Sequence, residues 1–481
     1  MNLSDAIFRE YDIRGTWGND LTAEVAGLIG RAYGTLAARH GAKLEPGFKI
    51  TVGRDVRKSS KAIRDALVAA LIESGIDVID VGECPTPLQY FSMHTLPVGG
   101  GIMITGSHNP PEYNGFKVSV GKETIHGSEI LELKDIIKTE VLGKPVRKAE
   151  KPGKVETFDI ISSYIDYVSK AFTLPKLKKP LKVVLDSGNG TAGPVAIPLI
   201  KKLGCEVVDI FSEPDGAFPN HHPDPTVPAN LVHLIETVKK EKADFGVAYD
   251  GDADRIGVVD ELGNIIWGDK LMIVFAKSIL KDRPGATLVG EVKCSQVMYD
   301  EIARLGGVPV MWKTGHSLIK ARMKELKAAM AGEMSGHIFF ADKWFGFDDA
   351  VYSSCRVLEI VANERVKDEG FAFSSMLAGI AETVVTPEIR IDCPDDLKFE
   401  LIKKLDTAIG SGSSDFKIRD IIRIDGLRVN FEGGWALVRA SNTQPVLVLR
   451  FEANDLPTLD RAKAFMKAKL EAVRPGETVS F

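Results

Sequence analysis

The chain is built from short apolar runs that each end in a polar, glycine-bearing loop. Lys49-Ile50-Thr51-Val52 leads into Gly53-Arg54-Asp55, and Gly101-Ile102-Met103-Ile104 leads into Thr105-Gly106-Ser107-His108-Asn109-Pro110. Lys182-Val183-Val184-Leu185 leads into Asp186-Ser187-Gly188-Asn189-Gly190, and Phe245-Gly246-Val247-Ala248-Tyr249 into Asp250-Gly251-Asp252-Ala253-Asp254-Arg255. Runs this short, bounded by turn residues, read as buried strands. Between them, Ser60–Ser74 and Asn230–Lys242 carry helical spacing. Strands alternating with helices predict an α/β fold, in which ligands gather at the carboxyl ends of strands. The Lys182 run alone reads as an ordinary strand-to-loop transition. No internal repeat of fixed period is visible. Residues 144–154, rich in Lys, Pro and Gly, read as a linker or exposed edge, and Arg283-Pro284-Gly285 as a loop between elements. A further boundary falls near Glu382–Pro387, while Gly410-Ser411-Gly412-Ser413-Ser414 reads as a flexible loop inside patterned sequence.

Composition narrows the partners. At 481 residues the length alone suggests about three domains. With 44% hydrophobic and 26% charged residues, the balance is that of a soluble globular chain. A net charge of -5 argues against nucleic acid as the main partner, since phosphate backbones favour a basic surface. Met1–Gly15 holds no uninterrupted apolar stretch before a cleavage site, and no run of about 18 apolar residues occurs, so neither a signal peptide nor a membrane span is expected. The five cysteines, Cys84, Cys205, Cys294, Cys355 and Cys393, form no C-x-x-C pair and are odd in number, which suits a reducing, cytoplasmic setting.

Two loops carry the chemistry. Asp250, Asp252 and Asp254 are alternate carboxylates able to converge on one hard cation, Mg²⁺ or Ca²⁺. An EF-hand also begins D-x-D-x-D, and Glu261 falls at its twelfth position. Its sixth position is Arg255, however, where a glycine is needed, and the flanks Phe245–Ala248 and Ile256–Val259 look like strands rather than helices. Carboxylates this close repel one another and need a cation or a basic neighbour, a part Arg255 could partly fill. Ser107 sits in a turn between a strand and a helix-compatible segment, where a serine can simply be a cap. It lacks the G-x-S-x-G elbow of hydrolases. His108 is its chain neighbour, and adjacent side chains seldom face each other, so a Ser-His pair carries little weight. Lys117 is a candidate acid/base or phosphate partner.

Three further loops lie downstream. Lys313-Thr314-Gly315-His316-Ser317 follows the apolar Val308–Trp312. In Gly332-Glu333-Met334-Ser335-Gly336-His337 a carboxylate, a hydroxyl and an imidazole alternate, which in an extended loop would face one side and suit sugar hydroxyls. Arg439-Ala440-Ser441-Asn442-Thr443-Gln444-Pro445 joins one guanidinium to three short hydrogen-bonding side chains, a set suited to phosphate.

In this order the loops resemble the α-D-phosphohexomutase superfamily, most closely its phosphomannomutase/phosphoglucomutase branch. The resemblance runs from Phe8-Arg9-Glu10-Tyr11-Asp12-Ile13-Arg14-Gly15 to Arg439-Ala440-Ser441-Asn442-Thr443, nearly the whole chain. It implies three similar α/β domains with mixed sheets (residues 1–155, 156–264 and 265–378) and a smaller α+β C-terminal domain (379–481) around a central cleft. It implies that Ser107 is the phosphoserine. Asp250, Asp252 and Asp254 would hold Mg²⁺, with a phosphoryl oxygen on Ser107 completing the shell. Tyr11, Lys293, His316, Glu333, Met334, Ser335, Gly336, His337, Arg439, Ala440, Ser441, Asn442 and Thr443 would contact substrate. Arg14, Lys117 and His337 are its candidates for proton transfer. The implied activity is reversible phosphoryl transfer between C1 and C6 of mannose and glucose phosphates through a hexose 1,6-bisphosphate, in a monomer. A Mg²⁺-dependent phosphohydrolase and a Ca²⁺-binding protein are the rival functions.

Overall fold

The structure, a computed structural model, describes residues 3–145, 148–410, 417–442, 444–474 and 479. Thr443 and the loop positions Ser411–Ser414 lie outside the described residues. One four-strand unit occurs three times. It first comprises Lys49–Arg54, Asp77–Glu83, Gly100–Ile104 and Tyr113–Val120. The first strand pairs in parallel with the second and third, and the fourth runs antiparallel to the third. Lys182–Asp186, Glu206–Ile210, Phe245–Tyr249 and Ile256–Asp260 repeat that order and direction. Thr287–Glu291, Val308–Trp312, Met330–Gly332 and Ile338–Phe340 do so again.

Parallel neighbours need a crossover, and each unit supplies two helices: Ser60–Glu73 and Thr86–Thr95, then Gly193–Lys202 and Val232–Glu241, then Gln296–Arg304 and His316–Leu326. The antiparallel third and fourth strands need only a loop. In every unit that loop leaves the carboxyl end of the third strand with no helix over it. The three loops are residues 105–112, 250–255 and 333–337. Strands such as Gly100–Ile104 and Phe245–Tyr249 are buried along their whole length, which is why they read as continuous apolar runs.

The repetition escapes a search for periodic sequence because the helices and flanking segments differ between units. The segment after Ser107 is a strand, not a helix, so Ser107 caps nothing. Its register in the hairpin pairs Ile104 with Phe116. The Asn230–Lys242 stretch is a 3-10 turn, Pro228–Leu231, followed by a helix, Val232–Glu241. Residues 148–154 are not a free linker: the amides of Ala149 and Gly153 donate to the carbonyls of Glu73 and Ile72 (3.0 and 2.7 Å), guiding the chain into the edge strand Val155–Thr157.

The fourth sheet is antiparallel, with Val446–Ala453, Gly434–Ala440, Leu427–Phe431 and Ile418–Ile422 as successive neighbours. Helices Lys398–Gly410 and Leu456–Val473 pack into its core. Its other face docks on residues 292–296. There the fully buried Arg428 donates to the carbonyls of Val292 (2.6 Å) and Cys294 (2.8 Å) and lies 3.9 Å from the Trp435 ring. All five cysteines are buried. No helix among the described residues is long and apolar enough to cross a membrane.

Candidate active site

Ser107 has a left-handed backbone, φ +48°, unusual for a residue with a side chain. Such a residue costs about 1–3 kcal/mol unless its surroundings enforce it. Here they do. The Ser107 amide donates to Thr105 Oγ1 (2.8 Å), and the Gly106 amide to Asp55 Oδ2 (2.8 Å). The buried Arg57 donates to the carbonyls of Ser107 (2.7 Å), Asn109 (2.5 Å), Tyr113 (3.0 Å) and Pro110, and to Asp55 (3.0 Å). A Cβ on Gly106 would lie 2.2 Å from Arg57 Nε, so only glycine fits there. The sequence reading missed Arg57 and passed over Asp55, although both follow a strand end in a polar loop. The bend turns neighbouring side chains toward each other: Ser107 Oγ lies 3.1 Å from His108 Nδ1 and donates to Asp250 Oδ2 at 3.1 Å. Unlike most chain neighbours, Ser107 and His108 therefore do face each other.

The three aspartates are fully buried in the loop joining the second unit's antiparallel strands. Asp250 Oδ1 accepts from the amides of Asp254 (3.0 Å) and Arg255 (3.1 Å). Asp252 Oδ2 accepts from Thr86 Oγ1 (2.5 Å), Thr105 Oγ1 (3.0 Å) and Lys117 Nζ (3.0 Å), and Lys117 also pairs with Asp254. Burial, with repulsion from Asp254 and Asp252, pushes Asp250 well above the carboxylate range. Burial and Asp252 also raise Asp254. Burial acts upward on Asp252 as well, but the charge of Lys117 and hydrogen bonds from Thr86 and Lys117 hold it low. Burial would lower Lys117, yet Asp252 and Asp254 hold it well above its ordinary value. Lys117 pairs directly with Asp252 and Asp254, and the charge of Arg255 acts downward on Asp250, the partial role expected of it.

Lys117 pairs directly with only two of the three carboxylates, and the cluster keeps oxygens to spare. Asp252 Oδ1 and Asp254 Oδ1 have no hydrogen-bond partner, and the three residues can offer oxygens within 4.8 Å of one another. An all-oxygen donor set with two unsatisfied oxygens fits a hard divalent cation. The EF-hand alternative fails: strands flank the loop, and Glu261 turns instead to the Ser374 amide (3.1 Å) and hydroxyl.

The third unit's loop is a tight turn rather than an extended segment. The Glu333 amide donates to the His337 carbonyl (2.9 Å), the Gly336 amide to the Glu333 carbonyl (3.0 Å), and Gly336 has φ +92°. This parts the alternating side chains. Ser335 Oγ donates to Glu333 Oε2 (3.2 Å), and Glu333 Oε1 accepts from the Gly315 amide (2.6 Å). His337 turns away, toward the aspartate loop. Its Nε2 accepts from Arg255 Nε (2.9 Å), so a neutral ring carries its proton on Nδ1. That nitrogen lies 3.0 Å from Asp348 Oδ2 and 3.5 Å from Asp254 Oδ1. Asp254, His337 and Asp348 could be grouped as a second metal site, but the Nδ1 proton occupies the position a metal would need. His316 stacks on His337 with ring centroids 5.5 Å apart and meets Tyr11 edge-on. The fully buried Glu291, also missed, accepts from Thr314 Oγ1 (2.6 Å) and from the amides of Lys293 and Met334 (both 3.3 Å), tying three substrate-side segments together. Lys293 Nζ sits 3.2 Å from Glu388.

The fourth domain's loop reaches the other walls of the cleft. Asn442 Nδ2 donates to Tyr11 Oη (2.7 Å), which donates to the Thr314 carbonyl (2.7 Å). Asp425 accepts from the Thr314 amide and Arg439 Nε, both at 3.0 Å, while Arg439 Nη2 is buried without a hydrogen-bond partner. Ser441 Oγ accepts from the Gln444 amide (3.1 Å). The Ala440 side chain belongs to the hydrophobic core, so it can offer a ligand only backbone. Arg14 pairs with Asp12 and keeps a buried Nη1 without a partner. The described candidates thus line one cleft between four domains: a serine beside a carboxylate cluster, a Glu-Ser pair, and an arginine with spare donors.

Comparison with known proteins gives full-length matches. Residues 5–142, 162–263 and 267–377 match the family descriptions Phosphoglucomutase/phosphomannomutase, alpha/beta/alpha domains I, II and III, and residues 388–469 match its C-terminal domain. A Pseudomonas aeruginosa protein named phosphomannomutase/phosphoglucomutase is 46% identical over 481 residues, covering 100% of this chain and 98% of the relative. A Neisseria gonorrhoeae protein named phosphoglucomutase is 42% identical, covering 97% of each chain. The crystal structure of a phosphoglucomutase/phosphomannomutase family protein from Burkholderia thailandensis superposes with a TM-score of 0.89 at 41% identity, covering 100% of both chains.

Proposed function

The chain belongs to the phosphoglucomutase/phosphomannomutase family and is an enzyme of that type, and on that premise we propose how its own residues do the work. The substrates are hexose phosphates, mannose or glucose, and the phosphoryl group moves reversibly between C1 and C6 through phospho-Ser107 and a hexose 1,6-bisphosphate. The observation that carries this is Ser107 Oγ at 3.1 Å from Asp250, in a buried cluster that has two oxygens to spare. Asp250, Asp252, Asp254 and a phosphoryl oxygen on Ser107 would hold Mg²⁺, which when bound neutralises charge on the phosphoryl group.

Lys117 lies beside the same loop and adds fixed positive charge. Glu333 and Ser335 take sugar hydroxyls. Arg439, Ser441 and Asn442 take the phosphate that is not moving, with Arg439 Nη2 as its free donor. Lys293 adds a second cation once the phosphate displaces Glu388. Because this clamp reads phosphate and hydroxyls, it accepts either end of the sugar. When the sugar hydroxyl attacks, the bond from phosphorus to Ser107 Oγ breaks, a bond to the sugar oxygen forms, and the proton passes overall from the sugar hydroxyl to Ser107 Oγ. Of Arg14, Lys117 and His337, the guanidinium always carries its protons and Lys117 donates to Asp252 and Asp254, so neither offers a lone pair. His337 alone offers a lone pair, on Nε2. Arg255 covers it here, and a phosphate in the cleft competes for that guanidinium. The enzyme works as a monomer.

A coupled assay with glucose 1-phosphate, a trace of glucose 1,6-bisphosphate and Mg²⁺ should yield glucose 6-phosphate, and peptide mass spectrometry should place the phosphoryl group on Ser107. Release of free phosphate without isomer would support a phosphohydrolase instead, and full turnover by Ser107→Ala would remove Ser107 from the mechanism.

A further inference from the structure

His337 is held from two sides by groups of different kind. On one side Arg255 Nε, which always carries a proton, donates to Nε2. On the other, Nδ1 lies 3.0 Å from Asp348 Oδ2, close though off the N–H axis. Asp348 is fully buried at the foot of the helix Ala350–Lys367 but does not cap it, a task its neighbour Asp349 performs through the Tyr352 amide (2.9 Å); besides His337 it faces His316, whose Nδ1 lies 3.9 Å from Oδ2. A buried carboxylate without a structural task is costly unless a charge faces it. Lys320 supplies that charge, with Nζ 3.4 Å from Asp348 Oδ1. Lys320 is fixed in turn by the first domain, its Nζ lying 4.2 Å from the Tyr90 ring centroid and donating to Thr124 Oγ1 at 3.2 Å.

We propose that Asp348 is a positioning residue for His337: its carboxylate keeps the ring proton on Nδ1, so that Nε2 is the nitrogen left to accept the proton of the attacking sugar hydroxyl. Lys320 keeps Asp348 charged and aimed; Asp348 thus backs the Arg255 contact and keeps the tautomer once a phosphate draws Arg255 away, and because Tyr90 and Thr124 hold Lys320, that support depends on the packing of the first and third domains. The inference rests on His337 as proton acceptor in the mechanism proposed above.

The test uses the full-length enzyme with Mg²⁺ and bisphosphate. In Asp348→Asn the amide can offer Nδ1 a proton and swap the tautomer, so kcat should fall ~100-fold or more while KM stays within about threefold, because a general base contributes ~100- to 10,000-fold to kcat. His337→Gln should fall by a similar factor, and Asp348→Asn placed on it should cost less than about twofold more, as expected for coupled residues. A loss of equal size on the His337→Gln background would make Asp348 merely structural and overturn the proposal. Histidine ¹⁵N spectra give an independent readout: His337 should show a protonated Nδ1 and an acceptor Nε2 in the wild type, and lose that pattern in Asp348→Asn. An unchanged pattern overturns the proposal even if His337→Gln is slow. Wild-type turnover by His337→Gln would instead sink the acceptor role, and the proposal with it. Should Asp348→Asn not fold, Asp348→Ser removes the carboxylate with less bulk and must show the same kcat loss and spectral change.

Discussion

Replacing Arg57 by Met isolates what holds the Ser107 loop in place. The substitution keeps an apolar stem of similar length and removes the guanidinium that gathers the carbonyls of Ser107, Asn109, Pro110 and Tyr113. Water can reach the last three, which are only partly buried. The Ser107 carbonyl and the inner oxygen of Asp55 are buried and would lose a charged donor. At about 1–3 kcal/mol for each buried group left short, the loss is about 2–6 kcal/mol. Only the hydrogen bonds to Thr105 and Asp55 would then hold Ser107 at φ +48°, and its relaxation returns about 1–3 kcal/mol to the misplaced state. A shift of about 1 Å in the hydroxyl costs roughly 100-fold in rate. The assay is twofold: the urea midpoint of the full chain, and the rate at which glucose 1,6-bisphosphate phosphorylates Ser107, followed by intact mass. Arg57→Lys should recover little, since one point charge cannot span four carbonyls. An Arg57→Met enzyme with an unshifted midpoint and phosphorylation within twofold of wild type would refute this account of the loop.

Two other outcomes follow from the charges. The charge of Lys293 holds the Glu388 carboxyl at about 2, below its ordinary 4.5, so the pair stabilises the fold above pH 4.5 and fades as pH falls toward 2; at 1.36 kcal/mol for each pH step this is worth about 3 kcal/mol, so Glu388→Gln should lower stability at pH 7 and match wild type near pH 2 in denaturant melts. Mg²⁺ should raise the melting temperature by relieving the buried aspartates, by about 2.7 kcal/mol of stability at a hundredfold excess over Kd, and Asp252→Asn should blunt that response in thermal-shift assays.

Much of this architecture can be read before folding, because its central strands are buried on both faces. Gly100–Ile104 and Phe245–Tyr249 stand out as apolar runs with sharp ends, and the loops that follow hold the polar chemistry. What escapes is long-range or conformational. Arg57 acts on a loop 50 residues away in the chain, and its place in a polar loop after a strand does not show which carbonyls it will gather. Asp348 and Glu291 matter only through partners brought by other strands. The direction of His337 depends on Gly336 at φ +92°, which converts an alternating pattern into a turn. His108 meets Ser107 for the same kind of reason, a left-handed residue between two ordinary ones. Backbone sign, more than residue type, separates the expected cleft from the observed one.

The thrice-used unit has a consequence for ancestry. Three copies of one strand order, each with its single helix-free loop at the same corner, are what successive duplication of a smaller gene would leave behind. A loop outside the crossovers can exchange a serine for aspartates, or aspartates for a Glu-Ser pair, without disturbing a single parallel pairing. The catalytic cleft is in that sense one corner of a single architectural unit used three times, with a different chemical task at each use.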